Sequence, residues 1–363
     1  MTSDTGAPST FGRVALVHDF LSQYGGAERV VLELCHIFPE APVYTAFYDA
    51  ESTFPEFRSR QVVPSSLQRV VRPGRFRAYA PLYPRAFERF DLARFDLVIA
   101  SSSAFAHRVR HPNCRVYCHT PPRFLYHPES YGWPDWRNRI LRAAATPLRR
   151  ADRRSARAKA SYVANSDLTR RRILEAYDIG CPVIHPPLST THLSVPVEAM
   201  PDRPAMLMVS RLLPYKRVDL AIAVANATGL PLSVVGEGPE RARLQAMAGP
   251  SVTLLGRVSD AEMPGLFAAA TVVLAPGAED FGYGPVEAHW FGRPAVAVAD
   301  GGALETVSDG VDGLLVPGTS TDLWVRAVKS ALERPWTPEA LRRSAGGYTA
   351  PAFRERILAW LSS

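Results

Sequence analysis

Residues Ala275–Ala288 read APGAEDFGYGPVEA, and this stretch decides the fold. It follows Thr271–Leu274, an apolar run that predicts a buried strand. Two glycines, Gly282 and Gly284, then precede Pro285 and a helical pattern. Glycine followed by proline at the first helical position is a helix start. The stretch therefore reads as strand, glycine turn and helix N-terminus. Such a terminus offers unpaired N–H groups and a partial positive charge, which suits a phosphate. Glu279 lies before the turn and Glu287 on the first helical turn. Carboxylates accept hydrogen bonds from sugar hydroxyls, while N–H groups hold phosphate. A nucleotide-sugar has both parts.

A chain of 363 residues predicts two domains. Its 47% hydrophobic content fills two cores, and 21% charged residues argue against disorder. The first ten residues are polar, so no signal peptide is expected. No apolar run approaches the roughly 20 residues that span a bilayer. Cys35, Cys114, Cys118 and Cys181 form no CxxC pair and read as reduced thiols of a cytoplasmic protein. Charge is uneven. Residues 1–185 carry 27 basic and 17 acidic groups, residues 186–363 carry 15 and 18, and the total is +7. A basic first half points to an anionic partner or surface there.

The first half alternates strand and helix. Arg13–His18 is a strand, Asp19–Gly26 a loop ending in Gly25 and Gly26, and Ala27–Phe38 a helix. This opens a βαβ unit without the full G-x-G-x-x-G, so the two glycines bind a phosphate or only make a tight turn. Val43–Phe47, Asp96–Ser101, Arg115–His119 and Ser161–Asn165 are further strands, and Ser166 caps Asp167–Ala176. In parallel α/β sheets ligands sit beyond the carboxyl ends of strands, which places Ser101–Ser103 and His119 toward a cleft. A lone histidine is as readily structural. Cys114, Cys118, His107, His111 and His119 match no zinc spacing. Arg137–Lys159 is a basic helical run with Arg149, Arg153 and Arg157 on one stripe and Arg150 and Arg154 beside it. It reads either as a solvated face or as a peripheral contact with an anionic membrane. Pro147 is expected to interrupt it.

From Pro186 to Pro204 the chain is rich in Ser, Thr and Pro and reads as a linker. Beyond it, Ala205–Ser210, Leu232–Gly236, Val252–Leu255, Pro294–Ala299 and Leu314–Val316 are strands separated by helical patterns. Arg211 and Lys216 flank the turn after the first of these. They read either as a diphosphate clamp or as ordinary surface charges.

Glu279 and Glu287, seven residues apart in EDFGYGPVE, resemble the E-x7-E motif of retaining glycosyltransferases of family 4. GGAE at Gly25–Glu28, CHTPPRFLY around His119, Asn165–Ser166, SRLLPYKR at Ser210–Arg217, VGEGPE at Val235–Glu240 and GRPAVA at Gly292–Ala297 accompany it in order. The HTPP version is similar to the bacterial mannosyltransferase-type subgroup. The resemblance implies an α/β, GT-B fold, with two Rossmann-like domains facing each other across a cleft. It assigns 1–185 plus 336–363 to an acceptor-binding domain, the last helix crossing back, and 186–335 to a donor-binding domain. It implies a nucleotide-sugar donor as co-substrate, a hydroxyl acceptor, no cofactor, no metal and no nucleic acid. Under it, His119 sits beside the donor sugar, Arg211 and Lys216 bind the diphosphate, and Glu279 contacts sugar hydroxyls. Glu287 contacts the ribose, and the main chain of Phe281, Gly282, Tyr283 and Gly284 holds sugar and phosphate. Gly25 and Gly26 approach from the first domain, and Val258 lies near the base. Tyr283, where the family often has a small or aliphatic residue, narrows or re-aims the sugar pocket.

The implied activity is transfer of a sugar, with mannose from GDP-mannose the leading choice, to a glycan, lipid-linked or natural-product hydroxyl with retention. The implied location is the cytoplasm, with the inner membrane face as an alternative. A nucleotide-sugar epimerase and a non-catalytic sugar-binding relative are the rival readings on this architecture.

Overall fold

The computed structural model describes residues 11–71, 79, 81–127, 135–188 and 195–363, with the backbone alone over 135–144. It divides into two compact units, Met1–Pro187 with Phe353–Ser363, and Leu188–Ala352.

The first unit is built on a parallel sheet of β1 (Val14–His18), β2 (Val43–Thr45), β3 (Val62–Pro64), β4 (Leu97–Ser102), β5 (Cys114–Cys118) and β6 (Ser161–Ala164). Their order is β3-β2-β1-β4-β5-β6. Residues alternate between two cores. Ala15, Val17, Val98 and Ala100 enter one, and Val14, Leu16, Leu97 and Ile99 the other. Both faces are buried, so these strands read as unbroken apolar runs.

The second unit repeats the plan with β7 (Met206–Val209), β8 (Leu232–Val235), β9 (Val252–Gly256), β10 (Val272–Ala275), β11 (Ala295–Val298) and β12 (Gly313–Val316). Their order, β12-β11-β10-β7-β8-β9, is the first sheet's order again when counted from β7. In each sheet the chain winds outward in both directions from one pair of central strands. That pair is β1 and β4 in the first unit, and β7 and β10 in the second. Loops leave the carboxyl ends of such a pair on opposite faces and open a crevice between them.

Eleven of the twelve strands follow the runs read from sequence. The exception, β3, is a three-residue edge strand ending in proline, too short to show a period. Cys181–His185 contributes one bridge, between Ala164 and Val183. The Asp167–Tyr177 helix is capped as expected, the Thr169 amide donating to Ser166 Oγ at 3.1 Å. Pro147 does not interrupt the basic helix, which runs from Asp135 to Arg157. A proline removes one hydrogen bond and bends a helix, and contacts to the rest of the unit offset that loss. Among the described residues no helix is long and apolar enough to cross a membrane.

The return to the first unit comes later than the expected Trp336. Residues 336–352 belong to the second unit. Leu341 and Ala345 are buried there, the Arg342 guanidinium lies 4.2 Å over the Trp290 ring, and Ala345 joins Leu188, Phe281 and Trp290 in one cluster. In the final helix, Phe353, Ile357, Trp360 and Leu361 enter the first unit's core. The second unit begins at Leu188 rather than residue 186, and residues 189–194 of the stretch read as linker lie outside the described residues.

Arg293 of the GRPAVA segment is fully buried. Its guanidinium donates to the carbonyls of Phe267, Ala268, Glu198 and Ala199 at 2.9–3.1 Å. It thereby closes the end of the Met263–Ala269 helix against the chain that enters β7. Arg293→Ala strands these buried carbonyls and opens a cavity. A loss of about 3 kcal/mol is expected, read as a lower urea midpoint of the second unit.

Candidate active site

The carboxyl ends of β7 and β10 gather most of the residues singled out in the sequence. From β7 the chain passes Arg211, whose Nη2 donates to the Tyr215 hydroxyl at 3.3 Å, into a single 3-10 turn at Pro214–Lys216. Arg217 follows in the left-handed region, φ 54°, and starts the Val218–Thr228 helix, its Nε donating to Asp219 at 3.2 Å. A non-glycine residue held there costs of order 1 kcal/mol, and the ion pair with Asp219 offsets part of it. The turn buries Lys216, 9% exposed, with Nζ 2.5 Å from Glu279 Oε2 and 5.2 Å from the Tyr215 ring centre.

Glu279 arrives from β10, and two close approaches fix it. A Cβ on Gly277 would lie 2.7 Å from Lys216 Cα, so only glycine lets this loop touch the Lys216 turn. A Cβ on Gly302 would lie 2.0 Å from the Phe281 carbonyl oxygen, and the Gly302 amide donates to the Glu279 carbonyl at 2.8 Å.

Gly282, at φ 82°, then caps the helix Tyr283–Trp290. This helix begins two residues before the start expected at Pro285, so Gly284 is helical rather than part of the turn. Pro285 still falls among the first positions, where its missing N–H costs no intrahelical bond. Gly284 has open space where a side chain would stand. Glu287 lies on the same helix, 7% exposed. The Tyr283 ring packs edge-on against Phe281, centroids 5.3 Å apart, and Phe281 packs in turn on Tyr348. Val258, beyond β9, packs against the cluster of Leu207, Val235 and Phe267.

The first unit has its own crevice, at the ends of β1 and β4. Gly25 caps the Gly26–Ile37 helix. Asp19, just after β1, accepts from the amides of Ser103, Ala104, Phe105 and Ala106 at 2.5–2.9 Å, which pins the loop leaving β4. His119 follows β5 and is 7% exposed. Its Nε2 lies 2.8 Å from Ser101 Oγ, and its carbonyl accepts from Thr169 Oγ1 at 2.9 Å. Burial, with the neighbouring His18 charge second, pushes the His119 imidazole down to about 3, so it stays neutral across the physiological range.

Two partners of this crevice escaped the sequence reading. His18 ends β1 and Glu28 sits in the first turn of the next helix, both 1% exposed, with Nε2 3.8 Å from Oε1. A histidine at a strand end and a glutamate two residues after the glycine pair was the available signal.

The remaining candidates disperse. Among the described residues no cluster of His, Cys, Asp and Glu is placed to hold a metal ion. His107 bonds Ser102 and Asp152 at 3.1 and 2.9 Å, and His111 bonds the Phe95 carbonyl. In the basic helix, Nε of Arg149, Arg153 and Arg157 donates to the carbonyls of Leu125, Ala176 and Tyr177 at 2.5–2.8 Å. The last two carbonyls end the Asp167–Tyr177 helix, where cations are favoured. This stripe is therefore engaged within the unit, while Arg150 and Arg154 are exposed. The side chains of Arg137, Arg139 and Arg142 lie outside the described residues.

Residues 193–348 match the family model described as glycosyl transferases group 1. The matched stretch covers less than half of the chain. It contains the Lys216–Glu279 pair and the Tyr283 helix. The chain is 34% identical over 145 residues to a D-inositol 3-phosphate glycosyltransferase of Mycobacterium marinum, covering 36% of this chain and 31% of the relative. It is 35% identical over 152 residues to a GDP-mannose-dependent alpha-(1-6)-phosphatidylinositol monomannoside mannosyltransferase of Mycolicibacterium smegmatis, covering 37% and 40%. The chain thus spans about a third of the length of the curated relatives it matches. Among solved structures, Anabaena Alr3699/HepE in complex with UDP and glucose aligns over 96% of this chain and 99% of its own, TM-score 0.71, at 20% identity. Sucrose-phosphate synthase from Thermosynechococcus elongatus aligns over 96% and 98%, TM-score 0.72, at 15% identity. These likenesses give the fold as GT-B, with a Rossmann-like α/β sheet in each unit.

Gly277→Ala forces backbone against backbone at the Lys216 turn. It is expected to destabilise the second unit by about 1–3 kcal/mol, measured by urea unfolding.

Proposed function

We propose that the protein is a metal-independent retaining glycosyltransferase that moves a hexose, with mannose from GDP-mannose the leading choice, from a nucleotide-sugar to a hydroxyl acceptor. The observation that carries this reading is the Lys216–Glu279 contact at 2.5 Å, set between the ends of β7 and β10 and followed directly by the Gly282-capped helix. A buried ammonium, a second cation at Arg211 and a helix N-terminus make an anion site at the point where α/β sheets bind nucleotides. A pyrophosphate entering this site takes over Lys216 and frees Glu279 to accept from sugar hydroxyls, while Glu287 serves the ribose. The match of residues 193–348 supports glycosyl transfer, and the GDP-mannose dependence of one relative supports the choice of donor.

Breaking the bond between the anomeric carbon and the leaving oxygen puts positive charge on the ring and negative charge on the diphosphate. Lys216, Arg211 and the amides at Gly282–Gly284 face the charge that grows, which is where stabilisation lowers the barrier. No carboxylate is assigned as nucleophile on the opposite face. The acceptor hydroxyl attacks from the face that the diphosphate leaves, and the departing phosphate oxygen takes its proton. The new glycosidic bond and the nucleoside diphosphate are the products.

Lys216→Ala should lower kcat about a hundredfold, on the order of 3 kcal/mol, in a transfer assay with GDP-mannose. Near-normal turnover removes the clamp. Gly284→Ala is expected to leave the urea midpoint unchanged or raised by up to about 1 kcal/mol, because alanine is the better helix former. It should nonetheless weaken nucleoside diphosphate binding in calorimetry, since its methyl group stands in the space assigned to the ligand.

A further inference from the structure

Glu28, His18, Ser101 and His119 form one buried chain of polar groups across the ends of β1, β4 and β5, and the ring it ends on is the one assigned to the donor sugar. His18 Nδ1 lies 3.1 Å from the Ser101 carbonyl oxygen and 3.1 Å from Ser101 Oγ. A carbonyl only accepts, so Nδ1 of His18 carries the hydrogen. Glu28 Oε1 stands 3.8 Å from the other nitrogen, Nε2. Burial opposes charge on His18, but the Glu28 carboxylate, Asp19 and the Ser101 carbonyl outweigh it, and His18 takes its proton more readily than a free histidine.

The Ser101 hydroxyl therefore sits between a donor and an imidazole nitrogen. Receiving from His18, it has its single hydrogen for His119 Nε2, 2.8 Å away. In that arrangement Nε2 of His119 accepts and the ring hydrogen lies on Nδ1.

The chain is built with little slack. Ser101 is 1% exposed, and a Cβ on Gly25 would lie 2.4 Å from Glu28 Oε2, so Gly25 leaves room for this carboxylate. Glu28 Oε2 is buried without a hydrogen-bond partner among the described residues, which carries a desolvation cost.

We propose that Glu28, His18 and Ser101 are positioning residues that fix His119 as the Nδ1–H tautomer, so that it presents a neutral hydrogen-bond donor to a ligand hydroxyl in the first unit's crevice. This rests on the glycosyltransferase reading for the identity of the ligand, but the tautomer itself does not. Long-range 1H–15N correlation spectra of the full chain, labelled at histidine and assigned with His119→Gln, read the tautomer directly near neutral pH. The expected wild-type signature is a pyrrole-type Nδ1 and a pyridine-type Nε2 on His119. Ser101→Ala should move His119 toward the Nε2–H form, and Ser101→Thr, which keeps the hydroxyl, should restore Nδ1–H. An Nε2–H ring in the wild type, or a tautomer indifferent to Ser101→Ala, overturns the proposal whether or not the protein transfers sugar. In the transfer assay, Ser101→Ala should lower kcat by about 10–100-fold, taking as a guide the loss when a partner that orients a metal-bound histidine is removed, with donor KM little changed. The expected spectra without any transfer activity would instead sink the glycosyltransferase reading and leave the relay standing.

Discussion

Backbone laid directly on backbone, with no side chain between, is the constraint on which the second unit's site depends. Gly277 against Lys216 and Gly302 against Phe281 bring three loops, from β7, β10 and β11, to within van der Waals contact. The consequence is electrostatic. Lys216 Nζ and Glu279 Oε2 are held together with most of their water removed, and the Gly282 helix is aimed from the same loop. Charges so placed act in a lower effective dielectric than surface charges do and need no reorganisation when a ligand arrives. The two groups satisfy one another.

The first unit solves a parallel problem with a carboxylate. Asp19 gathers four successive amides of the loop that leaves β4, and this sets Ser101 between His18 and His119. The two units share a strand order and a switch point but use opposite chemistry there. One presents a cation and a helix N-terminus, which suit a phosphate. The other presents a neutral imidazole and hydroxyl groups, which suit a sugar or an incoming alcohol.

The fold was largely legible because apolar runs of four to six residues, each stopped by Gly, Ser or Pro, mark buried parallel strands. What failed was short or governed by packing. Val62–Pro64 has too few residues to show a period. Pro147 sits in an unbroken helix because tertiary contacts override the local rule. The stretch 336–352 stays with the second unit through Leu341, Arg342 and Ala345, contacts that a fold-level expectation does not contain. At the site, the carboxylates and cations could be named from their spacing, but their pairing could not. Lys216 and Glu279 are 63 positions apart, and only the β7–β10 switch makes them neighbours. His18 and Glu28 looked like the end of a strand and the start of a helix, since burial is what gives them a role.

The central claim is that a nucleoside diphosphate is gripped at Lys216 and the Gly282–Gly284 amides, with Glu279 released from Lys216 to the sugar. A crystal structure of the protein with GDP-mannose or its nonhydrolysable analogue tests it most directly. The account predicts pyrophosphate oxygens within hydrogen-bond distance of Lys216 Nζ and of the helix amides, with the Glu279 carboxylate on sugar hydroxyls. A nucleotide bound elsewhere, over an intact Lys216–Glu279 pair, would contradict it.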